Sequence, residues 1–315
     1  MNREDESERE WLAERFEEHR RHLRAVAYRM LGSLTEADDA VQDAWLRLSR
    51  QDAAAIDNVG GWLTTVVARI CLNELKSRRA RREEPIGVHV PDPVVSHESG
   101  VEPEQEALLA DSVGLALLVV LETLEPAERL AFVLHDMFAV PFDEIAPIVG
   151  RSSAAARQLA SRARRRVQGT APISDVDLAT QREVVDAFIA AAREGDFQAL
   201  ISVLDPDVVL RADVGAPPAG MSRAVRGAEA VARAALSFSR LDLYVQAALI
   251  NGAAGTVSIR DGELVSVAGF TVRGGRIVEI DILADRDRLR RLDLTILDRP
   301  QALLRQRIDW NDDAG

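Results

Sequence analysis

The sequence predicts a multidomain chain: two all-α helical domains, the second with a helix-turn-helix, followed by a C-terminal α+β domain. Three observations predict it. Apolar residues recur at helical spacing from about residue 10 to residue 168. Beyond Gly169–Ser174 the pattern changes to short strand-like runs separated by Asn-Gly, Asp-Gly and Gly-Gly pairs. Basic charge is gathered into two segments: residues 61–82 hold six basic side chains against one acid, and residues 151–168 hold six arginines and no acid. Between them, residues 83–128 hold eleven Asp and Glu and no Lys or Arg. The net charge of -12 therefore conceals two local cationic surfaces of the kind that bind phosphate backbones.

The elements follow in order. Trp11, Leu12, Phe16, Leu23, Val26, Ala27, Met30 and Leu31 trace one helix, closed by Gly32. Ser33 or Thr35 caps a second helix with Ala37, Val41, Ala44, Trp45 and Leu48 on one face and Asp38, Asp39, Gln42 and Asp43 on the other. A loop, Ile56–Gly61, leads into a third helix that begins apolar at Trp62 and ends in the cluster Lys76–Arg82. Pro85, Pro91, Pro93 and Pro103 mark a linker. Helices resume near 106–121, 126–138 and 142–149; after Gly150 another starts at Ser152 or Ser153. In that last helix Ala156, Leu159, Ala160, Ala163 and Val167 form the stripe to be buried, opposite Arg157, Gln158, Ser161, Arg162 and Arg165. In the C-terminal domain, helical pattern runs through Val184–Arg193 and Ala228–Phe238. Strand patterns cover Leu243–Ile250, Gly255–Ile259, Leu264–Val272 and Ile277–Leu283. The domains are thus expected at 8–84, 107–170 and 175–295, with a linker at 85–106 and a tail at 296–315.

Composition narrows the functions. Of 315 residues, 47% are hydrophobic and 29% charged, an ordinary globular balance. One cysteine, Cys71, excludes an intramolecular disulfide and a cysteine-based zinc cluster, and reads as a lone buried thiol. The start is charged and lacks the apolar core of a signal peptide, and no apolar run approaches the ~20 residues of a membrane span. A cytoplasmic protein with no membrane partner is expected.

The first basic segment couples an aromatic, Trp62, to cations one helix length away. That combination suits single-stranded or opening DNA, where bases stack on rings and cations hold phosphates. A core tryptophan with a solvated basic helix end is the alternative. In the second segment Arg157 and Ser161 lie where base edges would be, while Arg162, Arg164, Arg165 and Arg166 are placed for phosphates. Six phosphate contacts would give a log–log salt slope of about -5.

These residues together resemble a bacterial sigma factor of the extracytoplasmic-function (ECF) group. YRMLGSLTEADDAVQDAWLRL, from Tyr28 to Leu48, resembles the helix that grips the polymerase β′ coiled coil. GGWLTTVVARICLNELKSRR, with Trp62 and the pair Ala68-Arg69, resembles the -10 melting and recognition segment. Residues 124–167, with Glu128-Arg129, Phe142-Asp143-Glu144-Ile145-Ala146 and Arg162-Ala163-Arg164, resemble the -35-binding domain. The remainder resembles the subgroup with a C-terminal SnoaL-like, ketosteroid-isomerase-type cone, which modulates activity in cis. That subgroup has a linker motif Trp-Leu-Pro-Glu-Pro, for which the counterpart is His89-Val90-Pro91-Asp92-Pro93. Its tail motif Asp-Gly-Gly-Gly-Arg is matched only at Asp213-Val214-Gly215, and its Asn-Pro-Asp-Lys-Leu appears altered as Ala284 to Leu289.

The resemblance implies core RNA polymerase, through its β and β′ subunits, and promoter DNA as partners, with no enzymatic activity, cofactor or metal. It implies that Asp38, Asp39, Gln42 and Asp43 contact β′. Asp57 and Asn58 lie in the loop that captures an extruded -10 base, and Trp62, Arg69, Asn73 and Lys76 bind or help open that element. Ser153, Arg157, Gln158, Ser161, Arg162 and Arg165 face the -35 duplex. The acidic spacer would run through the RNA exit path. A different reading is a small-molecule-binding or isomerase-like tail fused to a helix-turn-helix regulator, because cone folds often hold a pocket for small apolar molecules. Asp213 and Asp281 are its candidate pocket acids, although this half of the chain has no histidine and Tyr244 is its only tyrosine. A stand-alone helix-turn-helix activator is a third reading, and it would not need the acidic helix or the tryptophan-led segment.

Overall fold

The computed structural model describes residues 3–51, 56–81, 88–96, 114–170, 174–215 and 223–292. They fall into two compact units, one built on residues 3–81 and 117–170, the other on 88–96, 114–116 and 174–292.

In the first unit, α1 (Arg3–Leu31), α2 (Leu34–Leu48) and α3 (Val59–Arg81) pack together. Gly32, in the left-handed region at φ 73°, turns the chain between α1 and α2; Ser33 then caps α2, accepting the Glu36 N–H. Leu23, Val26 and Met30 of α1, Ala37, Val41 and Ala44 of α2, and Leu63, Val66 and Val67 of α3 form the buried seam. Cys71 is fully buried, and burial pushes its thiol up to about 12.

The second helical group comprises α4 (Leu115–Glu122), α5 (Pro126–Phe132), α6 (Phe142–Val149) and α7 (Ser153–Thr170). The expected helix at 126–138 is α5 followed by a π-helical turn, Val133–Met137, whose His135 and Asp136 engage Val140 and Arg164. Gly150, at φ 66°, ends α6, and Ser152 caps α7 through the Ala155 N–H. Ala156, Ala160, Ala163 and Val167 are buried as expected, while Leu159 is half-buried. Arg129 lies on α5, yet it is buried and its Nε donates to the Arg29 carbonyl of α1 at 3.1 Å. The two helical groups therefore touch within this unit.

The second unit holds one seven-stranded sheet. Its strands are β1 (Val95–Ser96), β2 (Leu204–Asp213), β3 (Arg223–Arg226), β4 (Tyr244–Ile250), β5 (Ala253–Arg260), β6 (Glu263–Arg273) and β7 (Arg276–Leu283), in the order β1-β4-β5-β6-β7-β2-β3. The three expected hairpin turns are present. Asn251-Gly252, Asp261-Gly262 and Gly274-Gly275 all have positive φ at both residues, as tight primed turns require. Helices α8 (Leu178–Glu194), α9 (Phe197–Val203) and α10 (Ala228–Ser239) cover one face through Val185, Phe188, Leu200 and Val231, against Leu210, Phe270 and Ile280. The short α11 (Arg286–Leu289) follows β7.

One expectation is corrected. Residues 85–106 read as a linker, but Val95 and Ser96 pair with Ile250 and Leu249 at the sheet edge. Valines at 88, 90, 94 and 95 supply the β-branched run that the prolines and acids around them obscured. Linker residues 85–87 and 97–106, the start of the helix expected at 106–121, and the tail at 296–315 lie outside the described residues. No helix among the described residues is long and apolar enough to cross a membrane.

Candidate nucleic-acid interface

Helix α3 presents Trp62, Arg69, Asn73 and Lys76 at successive spacings of seven, four and three residues, which is one stripe of a helix. Arg69, Asn73 and Lys76 are exposed and Trp62 is half-buried. The stripe is opposite the buried Val67 and Cys71, and half-buried Trp62 is a rim residue rather than a core one. Asn58 sits at the entry of the helix, where its carboxamide oxygen accepts the Gly61 N–H at 2.9 Å. Asn58 therefore has a capping role that its assignment to base capture did not include. Asp57 beside it is exposed.

Asp38, Asp39, Gln42 and Asp43 are all exposed on the outer face of α2. Arg24 of α1 forks onto Asp38, Nε to Oδ1 at 2.6 Å and a terminal nitrogen to Oδ2 at 3.1 Å. Asp38, Gln42, Phe16, Arg24 and Trp45 line an open groove of about 340 Å³ between α1 and α2.

On α7, Ser161, Arg157, Gln158, Arg162 and Arg165 are exposed, and Ser153 is half-buried. The arginines divide into two groups. Arg162 Nε donates to Glu128 at 2.7 Å, Arg166 reaches the same carboxylate at 3.3 Å, and Arg164 pairs with Asp136. Glu128 is only 7% exposed, so its charge draws the two arginines inward to keep it paired. Four arginines were expected to face phosphates, and these pairs leave only Arg165 of those four without an acidic partner among the described residues. Arg151 and Arg157 have none either, although Arg157 lies over the Phe142 ring at 5.2 Å. Ser153 Oγ donates to Asp143 at 2.5 Å and ties α7 to α6 instead of standing free for DNA.

In the second unit the candidate pocket acids are both engaged. Asp281 lies opposite Arg211 in the parallel pairing of β2 with β7, and Arg211 donates to Asp281 at 3.0 Å and to Glu279 at 2.7 Å. Burial, with Glu279 adding like charge, overcomes Arg211 and raises the Asp281 carboxyl to about 6. For Asp213, burial pushes the carboxyl up. The His89 hydrogen bond, the Val90 and Gly215 N–H groups and Arg288 outweigh that and hold it below the ordinary range.

Asp213 belongs to a cluster that reading along the chain did not assemble. Arg288 of α11 donates to Asp213 at 2.7 Å, to Asp92 at 2.8 Å and to the Val90 carbonyl at 2.6 Å. Val90 N–H donates to Asp213 at 3.0 Å, and His89 Nδ1 is 3.2 Å from the same carboxylate. Asn251 completes the hold, accepting the Val94 N–H at 3.1 Å and donating its own N–H to the Val94 carbonyl at 2.8 Å. The three fragments that matched the subgroup's motifs only in part thus converge on one arginine. The only signal for Arg288 was its place in the altered third motif. Glu128, in the motif pair Glu128-Arg129, and Asp136 gave no sign that they would claim arginines of α7.

Comparison with known proteins agrees with this geometry. The family model "Sigma-70 region 2" matches residues 15–81, and "Sigma-70, region 4" matches residues 114–167. The ECF RNA polymerase sigma factor SigJ of Mycobacterium tuberculosis is 41% identical over 273 residues, covering 85% of this chain and 86% of that protein. The probable ECF RNA polymerase sigma factor SigI of the same species is 36% identical over 266 residues, covering 84% and 90%. The crystal structure of the M. tuberculosis ECF sigma factor SigJ superposes with a TM-score of 0.72 at 36% identity, covering 90% of this chain and all of that one. Two sigma domains in order, and relatives matched along most of their length, place the whole described architecture in one family. The chain belongs to the extracytoplasmic-function sigma factors of RNA polymerase, in the subgroup that carries a C-terminal SnoaL-like domain.

Proposed function

We propose how the named residues divide the work of directing RNA polymerase to promoters. The exposed acids Asp38, Asp39 and Asp43, with Gln42, contact the β′ coiled coil. Trp62, Arg69, Asn73 and Lys76 take the opened -10 strand, the ring stacking on a base while the cations hold phosphates. Asp57 and the free amide nitrogen of Asn58 line the loop that receives an extruded base; extrusion costs a few kcal/mol, which the surrounding contacts offset. On the -35 duplex, Arg157, Gln158 and Ser161 read base edges. Arg165 and Arg151 bind phosphates, and Arg162 does so with the donors that Glu128 leaves. Ser153 fixes the angle between α6 and α7. The second helical group contacts the β subunit, and the protein works in the cytoplasm.

The SnoaL-like domain acts in cis by holding linker residues 88–96, and it does so as a binding module rather than an enzyme. Asp213 is held by Arg288 and the Val90 and Gly215 N–H groups, and Asp281 by Arg211, which supports structural ion pairs at both positions. The observation that carries the DNA assignment is the single stripe of α3 that aligns a half-buried aromatic with two exposed cations and an exposed amide.

Run-off transcription with purified core polymerase tests the reading. Product should start at specific promoters only when this protein is added, and no protein-dependent product on any genomic promoter would overturn it. Truncation after Gly169 should change promoter activity while the helical domains keep their fold. Unaltered transcription by the shortened chain would remove the regulatory role of the tail.

A further inference from the structure

Arg157 is the one arginine of α7 that rests on an aromatic ring, and the ring beneath it is itself stacked. Arg157 Cζ lies 5.2 Å from the Phe142 ring centroid, and the Phe142 and His135 rings are 3.8 Å apart at 31°. His135 is fixed in turn. Its Nδ1 is 3.0 Å from the Val140 carbonyl, which can only accept, so Nδ1 carries the proton and the imidazole is locked to the turn. That turn is closed by Ala139 N–H donating to the His135 carbonyl at 3.1 Å and Val140 N–H donating to the Leu134 carbonyl at 2.9 Å. At the other end, the bond from Ser153 to Asp143 sets the start of α7 against α6.

We propose that Phe142 and His135 are positioning residues for base readout: with Arg157 they form a column, imidazole, phenyl, guanidinium, that holds the reading group in place before DNA arrives. The proposal rests on the assignment of Arg157 as a reader. The contrast with its neighbours supports it. Arg162, Arg164 and Arg166 are oriented by acids, whereas Arg157 has no acidic partner among the described residues and is oriented by a π face. A guanidinium over a ring keeps its donor edge free for the paired acceptors of a guanine, which a carboxylate partner would occupy. A side chain held in one geometry also loses less freedom on binding.

The test uses the full chain bound to core polymerase, with duplexes chosen from a random pool by the wild-type holoenzyme. Arg157→Ala identifies the base pair that depends on this side chain. Phe142→Leu keeps the apolar volume but removes the π face, and should lower discrimination at that same base pair by about two- to fivefold, the worth of an exposed cation–π contact. Binding to random duplex should stay within about twofold, and Phe142→Tyr should restore discrimination. If Arg157→Ala changes no base preference, the reader assignment fails and the column with it. If Arg157→Ala relaxes one base pair and Phe142→Leu does not, the column is overturned while the reader stands. Equal loss of selected and random binding in Phe142→Leu, with no recovery in Phe142→Tyr, would make the ring a packing element only.

Discussion

Replacing Arg288 by alanine should release the linker from the SnoaL-like domain. The Arg288 side chain is 18% exposed, and its partners Asp92 and Asp213 are 11% and 7% exposed. Removing one member of a buried ion pair costs about 3–5 kcal/mol, because the remaining charge is left in a poor solvent. Two carboxylates would be stranded, but water can reach this cluster once residues 88–93 lift away, so the lower figure applies. About 3 kcal/mol shifts the docked-to-released equilibrium of the linker by roughly a hundredfold. Hydrogen exchange reads it directly. The Val90 and Val94 amides, which donate to Asp213 and Asn251, should exchange faster by a similar factor, while the central amides of β5 and β6 keep their protection. Arg288→Lys, which keeps the charge but loses the fork, should fall between. Acid should mimic the mutation. Asp213 is held below its ordinary pKa in the folded chain, so its contribution is complete above about pH 4 and is lost as pH falls through the depressed value. Unchanged exchange at Val90 and Val94 in an Arg288→Ala chain with an intact sheet would refute the argument.

Three further outcomes are expected. Asp281 has a folded pKa of about 6, so the native state holds its proton more tightly and stability declines between about pH 4 and pH 6; Asp281→Asn should flatten that decline in thermal melts at pH 4.5 and 7. Because acids hold Arg164 and Arg166, and Arg157 is assigned to bases, Arg151, Arg162 and Arg165 remain for phosphates; the log–log salt slope of -35 duplex binding should be about -3 rather than about -5, measured by titration at several salt concentrations. Arg129→Ala removes the buried bond to the Arg29 carbonyl and leaves a void in that contact; it should cost about 1–3 kcal/mol and lengthen the distance between dyes on α1 and α7 in energy-transfer measurements.

The helices and hairpins were legible because each carries its own local signal. Leu23, Val26, Ala27, Met30 and Leu31 repeat at helical spacing, and Asn251-Gly252 can hardly be anything but a primed turn. The exposed face of α7 followed from the same periodicity. Long-range pairing was not legible. Burial of Glu128 by packing determines where Arg162 and Arg166 point, and nothing in the spacing from 128 to 162 encodes it. Strand β2 was missed because Asp205, Pro206 and Asp207 break the alternation at its start, and its register with β7 is a parallel, non-local pairing. The linker misled for a related reason. Pro91 and Pro93 lack N–H groups, which is compatible with an edge, and the segment they flank sits at the edge of the sheet. Only the folded chain shows that Asp92, Asp213 and Arg288 share one place.

The contact within the helical unit and the hold on the linker together bear on promoter engagement. The -10 and -35 elements are named for positions 25 base pairs apart, which is ~85 Å of duplex at 3.4 Å per pair. Helix α3, with 23 residues, is only ~35 Å long, and α5 lies against its group, with Arg79 paired to Glu125 and Arg129 bonded to Arg29. In this arrangement the two DNA-binding faces cannot serve both elements at once, so the contact through Arg129 has to open. The chain between α3 and α4 is the 33 residues 82–114. As a coil it would average ~32 Å end to end, and fully drawn out it reaches ~110 Å. Spanning the promoter therefore takes up most of its slack. Residues 88–96 are part of that tether, and Arg288 and Asn251 hold them on the SnoaL-like domain. Drawing the tether out either strips them from the domain or carries the domain along. In the first case the strength of that hold enters the free energy of promoter binding, and whatever weakens the hold eases promoter engagement by the same amount.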